Sequence, residues 1–272
     1  MTIFSKSGDI PTHQYCYVER SSYPGGKSGA GIYQRLINLI PRHRILIVPF
    51  AGHCGVIRNI RPAEHTIVVD RDPSVCQWWL DWSRTKKGRR LEIHNCDGIE
   101  FIRYRFGVTE YSAPPGSDAA GGVDRSTTDD AAEAFLFADP PYVMSERAGK
   151  RIYQCELTDE DHQRLLGTVT QLDASRYRMM ICGYACALYS PLDNWFSIDH
   201  RVPTRGGPQD ERIWMNYPKP VLLHDHQYIG DSRRSRERIR RRQKNWRKQL
   251  ERMSLQERTA MLEVLSSTRR ES

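Results

Sequence analysis

Apolar residues along this chain come in short bursts separated by longer amphipathic stretches. Compact runs at Ile45–Val48, Thr66–Val69, Leu91–His94, Phe135–Ala138, Arg178–Cys182 and Ile213–Tyr217 have the length and β-branched or aliphatic character of buried strands. Between them, Ile32–Ile40, Pro73–Trp82 and Asp159–Leu172 repeat at helical spacing, and in the last of these His162, Leu165, Leu166 and Val169 share one face. Strand alternating with helix predicts an α/β fold built on a doubly wound, mainly parallel sheet. Such sheets bind ligands beyond the carboxyl ends of their strands. The residues just after each predicted strand are therefore where chemistry is sought.

The alternation fails in two places. Between Arg105 and Glu133, Ser-Ala-Pro-Pro-Gly-Ser-Asp-Ala-Ala-Gly-Gly-Val-Asp and its acidic continuation hold too little apolar content to fold. The span 105–134 is predicted to be a mobile or disordered insertion. Past residue 231 the pattern becomes helical and cationic. Ile239, Trp246, Leu250 and Met253 form a stripe amid arginines, and Ser254-Leu-Gln-Glu257 has the form of a capping box that starts a second helix through Leu255, Leu262 and Leu265. The predicted organisation is a catalytic body over 1–231 and a basic helical tail over 232–272.

Charge follows that division. The chain has 272 residues and a formal net charge of +8. From Ser232 to Ser272 there are 14 Lys/Arg against 5 Asp/Glu, so the remainder, with 27 basic and 28 acidic residues, is close to neutral. A localised cation block favours a polyanion. No apolar run approaches the roughly 18–20 residues of a membrane span, and Met1–Glu19 has no secretory design, so no membrane association is expected. The 7 cysteines are scattered without CxxC pairing, as reduced thiols of a cytoplasmic protein are. Cys182 and Cys186 flank Gly-Tyr-Ala but have no second ligand pair at a matching spacing, and His224-Asp-His226 reads as a polar loop, so no metal is predicted.

The strand ends carry the chemistry. Asp139-Pro140-Pro141-Tyr142 follows Phe135–Ala138 directly, and two prolines fix the backbone there. A carboxylate, a proline carbonyl and an aromatic ring suit methylation of an amino group conjugated to a heterocycle. The lone pair of such a nitrogen is delocalised. Asp139 and the carbonyl of Pro140 can accept its two N–H bonds and so localise the pair, while Tyr142 stacks on the base. Upstream, Pro49-Phe50-Ala51-Gly52-His53-Cys54-Gly55 forms a glycine turn after Ile45–Val48, the next strand ends in Asp70, and the third closes at Asp97. Glycine lets backbone approach a nucleotide; Asp70 suits the hydroxyls of a ribose, and Asp97 an adenine. Tyr23-Pro-Gly-Gly-Lys27-Ser28 is not a P-loop, because Ser21 stands where the first glycine is required and no strand precedes it. Lys27 remains a candidate contact for a cofactor carboxylate.

Taken in order, Tyr23-Pro-Gly-Gly-Lys27, Pro49-Phe-Ala-Gly52, Val69-Asp70-Arg-Asp72, Asn95-Cys-Asp97 and Asp139-Pro-Pro-Tyr142 resemble the blocks of the Dam-like DNA adenine methyltransferases. His162-Gln-Arg-Leu-Leu166, Cys182-Gly-Tyr184, Leu188-Tyr189 and Glu211-Arg-Ile-Trp-Met-Asn-Tyr217 are similar to the family's later blocks. The resemblance runs from Tyr23 to Tyr217. It implies a Rossmann-like class I fold and transfer of methyl from S-adenosylmethionine to the 6-amino group of adenine in double-stranded DNA. It further implies that Asp139, Pro140, Pro141 and Tyr142 form the catalytic motif, and that Tyr23, Lys27, Pro49, Phe50, Ala51, Gly52, Asp70 and Asp97 hold the cofactor. Two positions depart from the pattern: Cys54 stands where a second glycine is usual, and Val48 where an acidic residue is often found. The segment with which relatives read their target is here the low-apolar insertion.

Eight of the twelve residues from Arg233 to Lys244 are basic. Phosphate contacts of this kind give salt-dependent affinity with little sequence information. Arg233, Arg234, Arg236, Arg240, Arg241 and Lys244 are the expected clamp on the duplex. Loops over Tyr142–Cys155 and His200–Arg212 are expected to touch bases, with Arg201, Arg205 and Arg212 as major-groove contacts. Besides methylation of a cytosine amino group, which the same mechanism serves, two alternatives stand beside this reading. One is a ribosomal RNA amino-methyltransferase, which shares Asp-Pro-Pro-aromatic. The other is a non-catalytic DNA-binding protein on a decayed fold.

Overall fold

A computed structural model describes residues 26–29, 31–85, 88–108, 132–147, 151–204 and 207–268. Seven strands form one sheet: β1 (His43–Val48), β2 (His65–Asp70), β3 (Glu92–Asn95), β4 (Ala132–Ala138), β5 (Tyr177–Gly183), β6 (Phe196–Thr204) and β7 (Gly207–Met215), in the order β3-β2-β1-β4-β5-β7-β6. The first five are parallel, and β7 runs antiparallel between β5 and β6. This is a Rossmann-like, doubly wound sheet with an antiparallel hairpin at one edge. Its central strands read as continuous apolar runs because both faces are covered. In β1, Leu46 and Val48 enter one core with Phe135, Phe137 and Trp79. The intervening Ile47 enters the opposite core with Leu136, Ile99 and Leu165.

The helices are α1 (Ile32–Ile37), α2 (Gly55–Asn59), α3 (Pro73–Ser83), α4 (Gly98–Phe106) and α5 (Asp159–Val169). Asp72 caps α3 by accepting from the Ser74 amide, and Thr158 and Asp161 form a capping box on α5. Helix α1 stops three residues short of the expected Ile40, its end tightened by a Leu39 N–H donated to Leu36 O at 2.9 Å. Helices α2 and α4 were not anticipated by periodicity. Helix α2 is a single turn, and α4 buries only Gly98, Ile99 and Ile102, too narrow a face to read from spacing.

Two expectations change. The span His200–Arg212 is not a loop but most of the β6–β7 hairpin, in which Phe196, Ile198 and His200 alternate with Ser197, Asp199 and Arg201. A half-polar hairpin presents no continuous apolar run, so only its buried end, Ile213–Met215, stood out. The insertion is shorter than 105–134: Arg105 and Phe106 belong to α4, and Ala132–Ala134 begin β4 beside β1. Its middle, 109–131, lies outside the described residues, as do Tyr23 and Arg205.

The tail forms α6 (Arg233–Arg252) and α7 (Leu255–Thr268). Ser232 caps α6. Ser254 and Glu257 open α7 reciprocally, the Ser254 amide donating to Glu257 Oε2 at 2.7 Å and the Glu257 amide to Ser254 Oγ at 3.3 Å. No residue of α6 is buried, and Trp246 is half exposed. No helix among the described residues is long and apolar enough to cross a membrane.

Candidate active site

The turn after β1 is stitched to the end of β2. Gly52 has φ 43°, a left-handed conformation that favours glycine. Its amide donates to Asp70 Oδ2 at 2.9 Å, its carbonyl accepts from Trp79 Nε1 at 2.7 Å, and the Ala51 amide donates to Val69 O at 3.1 Å. Asp70 Oδ1 accepts from the Asp72 amide at 2.9 Å. Burial pushes the Asp70 carboxyl up to about 6, against these backbone donors. The chain ahead of α1 lies across the same turn: the Gly55 amide donates to Gly26 O at 2.6 Å, and a Cβ on Gly55 would stand 2.5 Å from Lys27 O. The glycine displaced by one place, with Cys54 before it, is therefore where this backbone crossing requires it.

A cleft open to solvent lies over these strand ends. Gly26, Pro49, Phe50, Ala51, Gly52 and Asp70 line one side, Gly98 and Arg71 another, and Asp139 and Pro141 the end nearest β4. Tyr153, Cys155 and Leu157 supply the remaining wall. The segment Tyr142–Cys155, expected to be a base-reading loop, is in part this wall. It is braced by the largely buried Arg147–Glu156 pair at 2.5 Å, and Glu156 Oε1 also accepts from the Ile152 and Tyr153 amides at 2.8 and 3.0 Å. A carboxylate bonded to both ends of the segment closes the loop on itself.

At the Asp139 end the buried Lys27 ammonium joins three elements. Lys27 Nζ lies 3.1 Å from Asp139 Oδ1 and 3.1 Å from Glu211 Oε2, and it donates to the Tyr142 hydroxyl. The Tyr142 hydroxyl in turn donates to Asp139 Oδ1 at 3.3 Å. Burial alone would lower the ammonium's pKa, but the Asp139 and Glu211 carboxylates outweigh it and hold it above the usual lysine range. Burial pushes Asp139 up to about 6; Lys27 opposes that shift and Glu211 adds to it. His200, paired in register with Glu211 across the hairpin, places Nε2 3.6 Å from Glu211 Oε2. Burial holds this imidazole below the usual histidine range.

Lys27 was expected at a cofactor carboxylate; its partners in the structure are Asp139, Glu211 and Tyr142. Pro140 is buried behind the cleft. The Tyr142 ring, expected to offer its face to a base, is 8% exposed, set edge-to-face on Tyr184 with centroids 4.7 Å apart, and has Lys27 Nζ 4.8 Å from its centroid. Its hydroxyl finds both partners inside the body, which draws the ring in. Asp97 caps α4, accepting from the Ile99 and Glu100 amides at 2.7 and 3.0 Å, and Arg71 pairs with its other oxygen. Its carboxylate thus has partners on both oxygens and lies outside the cleft lining.

Glu211, Tyr153 and Arg71 were not singled out from the sequence as site residues. Glu211 opens the block ending in Tyr217, but nothing local marks it as the partner of Lys27. Of the candidate DNA contacts, Arg201 is exposed 3.9 Å from Asp210, and Arg212 pairs with Asp199 at 2.6 and 2.9 Å. Arg234, Arg240, Arg241 and Lys244 are exposed on α6. Arg233 pairs with Glu237 at 2.9 Å, and Arg236 is half-buried, donating to Gly230 O at 3.3 Å. Among the described residues, no group of three or more His, Cys, Asp or Glu is placed to hold a metal.

Neither a protein-family profile nor a curated protein sequence matches the chain. Solved structures similar to it include human methyltransferase-like protein 13 in complex with SAH, at 15% identity and TM-score 0.41, covering 78% of this chain and 89% of that one. A putative methyltransferase, yhhF from Escherichia coli, is similar at 16% identity and TM-score 0.36, covering 64% and 75%. TrmN from Thermus thermophilus is similar at 14% identity and TM-score 0.40, covering 67% and 46%. Likeness at this distance carries no activity or substrate across.

Proposed function

We propose that this chain transfers a methyl group from S-adenosylmethionine to the 6-amino group of adenine in double-stranded DNA. The observation that carries the reading is the Asp139 carboxylate, set directly after β4 at the end of a cleft floored by glycine backbone. The cleft suits the cofactor. Gly52 and Gly98 keep side chains off its floor, and each Asp70 oxygen already accepts one backbone N–H and retains capacity for a ribose hydroxyl. When bound, the cofactor supplies an electrophilic methyl.

The chain's own residues do the rest. Asp139 and the Pro140 carbonyl accept the two N–H bonds of the target amino group and localise its lone pair toward the methyl. Asp139 then takes the proton that leaves nitrogen. Lys27 and Tyr142 both contact Oδ1, so the substrate N–H falls to Oδ2. Tyr142 acts first through its hydroxyl, orienting Asp139; stacking on the base requires the Lys27 side of the ring to clear. Most of the acceleration comes from positioning, and the base reaches the site only when flipped from the duplex. Helix α6, with eleven Arg/Lys against two Glu, supplies phosphate affinity, and the thiols fit a cytoplasmic setting.

The test is incubation of the purified chain with radiolabelled S-adenosylmethionine and either duplex DNA or ribosomal RNA, then mass spectrometry of the nucleosides. N6-methyldeoxyadenosine is the expected product. Methylation of RNA alone would move the reading to an RNA amino group, and label in neither would refute it.

A further inference from the structure

The cluster at the end of the cleft has one cation and two carboxylates. Lys27 needs only Asp139 to be neutralised, yet Glu211 also reaches it, with Oε1 at 3.2 Å and Oε2 at 3.1 Å, from a side chain 7% exposed. Burying a second carboxylate without a second cation is costly. The titratable groups in contact with the cluster add no compensating charge; the exposed Arg35 acts on His200, and Arg147, which acts on Tyr153 and Tyr184, is neutralised by Glu156. Burial holds the Tyr142 hydroxyl and Cys182 thiol well above their usual ranges, pushes the Cys54 thiol up to about 12, and holds His200 low, so all four are neutral at pH 8. The cluster therefore keeps an excess of one negative charge behind the end of the cleft that Asp139 lines.

We infer that Glu211 is a specificity-determining residue of the methyl-donor site, its surplus charge making the cleft prefer the cationic sulfonium donor to the neutral thioether left after transfer. This rests on the cleft being a S-adenosylmethionine site. The donor carries a positive charge on sulfur and the product does not, while their amino, carboxyl, ribose and adenine groups are the same. A fixed negative charge in a site of low effective dielectric acts on that one difference. It favours entry of the donor and, once the methyl has gone, release of the product.

The experiment is calorimetric titration of the full-length protein at pH 8 with S-adenosylmethionine, S-adenosylhomocysteine and sinefungin, whose ammonium replaces the sulfonium methyl. In Glu211→Gln the ratio of homocysteine-product Kd to donor Kd should fall about tenfold, about 1.4 kcal/mol. The product's own Kd should move by less than about twofold, by the logic of a double-mutant cycle, and sinefungin should behave as the donor does. Glu211→Asp, which keeps the charge, should restore most of the ratio. Asp139→Asn removes one charge from the same cluster and should lower the ratio too; if Glu211→Gln does not fold, Glu211→Met, uncharged and of similar length, takes its place in the same titration. Donor binding with an unchanged ratio in the folded variants overturns the role of Glu211 and leaves the methyl-donor reading standing. No binding of any of the three nucleosides to the unaltered protein overturns the methyl-donor reading itself.

Discussion

Lys27, ahead of the first helix, places its ammonium 3.1 Å from the carboxylate of Asp139, which follows the fourth strand. The pair is shut into the body, with side chains 4% and 12% exposed. A cation at that distance keeps a buried carboxylate ionised, and an ionised carboxylate is the form that accepts an amino N–H.

Replacing either partner separates binding from turnover. Asp139→Ala is expected to weaken S-adenosylmethionine binding by no more than about tenfold by calorimetry, the cost of one cluster charge, and to lose methyl transfer by about 10³-fold or more, the scale of deleting a positioned acceptor in a water-poor site. Lys27→Met is expected to lower the rate as well, chiefly by letting Asp139 take up a proton.

The pH profile follows from the same pair. Asp139 is pushed up to about 6 by burial, with Lys27 opposing and Glu211 adding. Below that pH the carboxyl is protonated and its acceptor role is lost, so the transfer rate should fall about tenfold per pH unit below about pH 6. Lys27→Met should move the midpoint up, and Glu211→Gln should move it down. A midpoint near that of an ordinary aspartate in the unaltered protein would contradict the assignment.

Gly55→Ala puts a Cβ where the Lys27 carbonyl stands, at 2.5 Å. Backbone cannot yield there cheaply, and overpacking of this kind costs about 1–3 kcal/mol. Thermal denaturation should show the lower Tm. Donor affinity should fall with it, because the segment that must shift carries Lys27.

The tail makes a prediction about salt. Replacing Arg240, Arg241 and Lys244 together by Gln should weaken binding to duplex DNA of any sequence, and should flatten the slope of log K against log salt by about 2–3. Methylation at saturating DNA should change little. An unchanged slope in filter-binding or anisotropy measurements would remove α6 from the interface.

How much of this was legible in the chain itself can be seen residue by residue. The runs Ile45–Val48 and Phe135–Ala138 mark buried strands, because a strand covered on both faces has no polar phase, and the glycine turn and Asp139 follow them directly. The Ser254–Glu257 capping box is equally local, its hydrogen bonds closing within one turn. Helix α4 was missed because its buried face is too narrow. Strand β6 was missed because a hairpin near the sheet edge alternates with polar residues.

The sequence by itself determined the doubly wound order of elements, the strand-end positions of Asp70 and Asp139, and the cation block of the tail. These depend on periodicity and composition within windows of a few residues. Only the tertiary structure decided that Lys27 serves Asp139, that Glu211 joins them from the β7 hairpin, that Asp97 is taken up by a helix cap and Arg71, and that the Tyr142 ring is enclosed. Each of these is a contact between segments far apart in the chain, set by which strands lie side by side. A charge selects its partner by distance and dielectric, and neither is written in the spacing of residues along the chain.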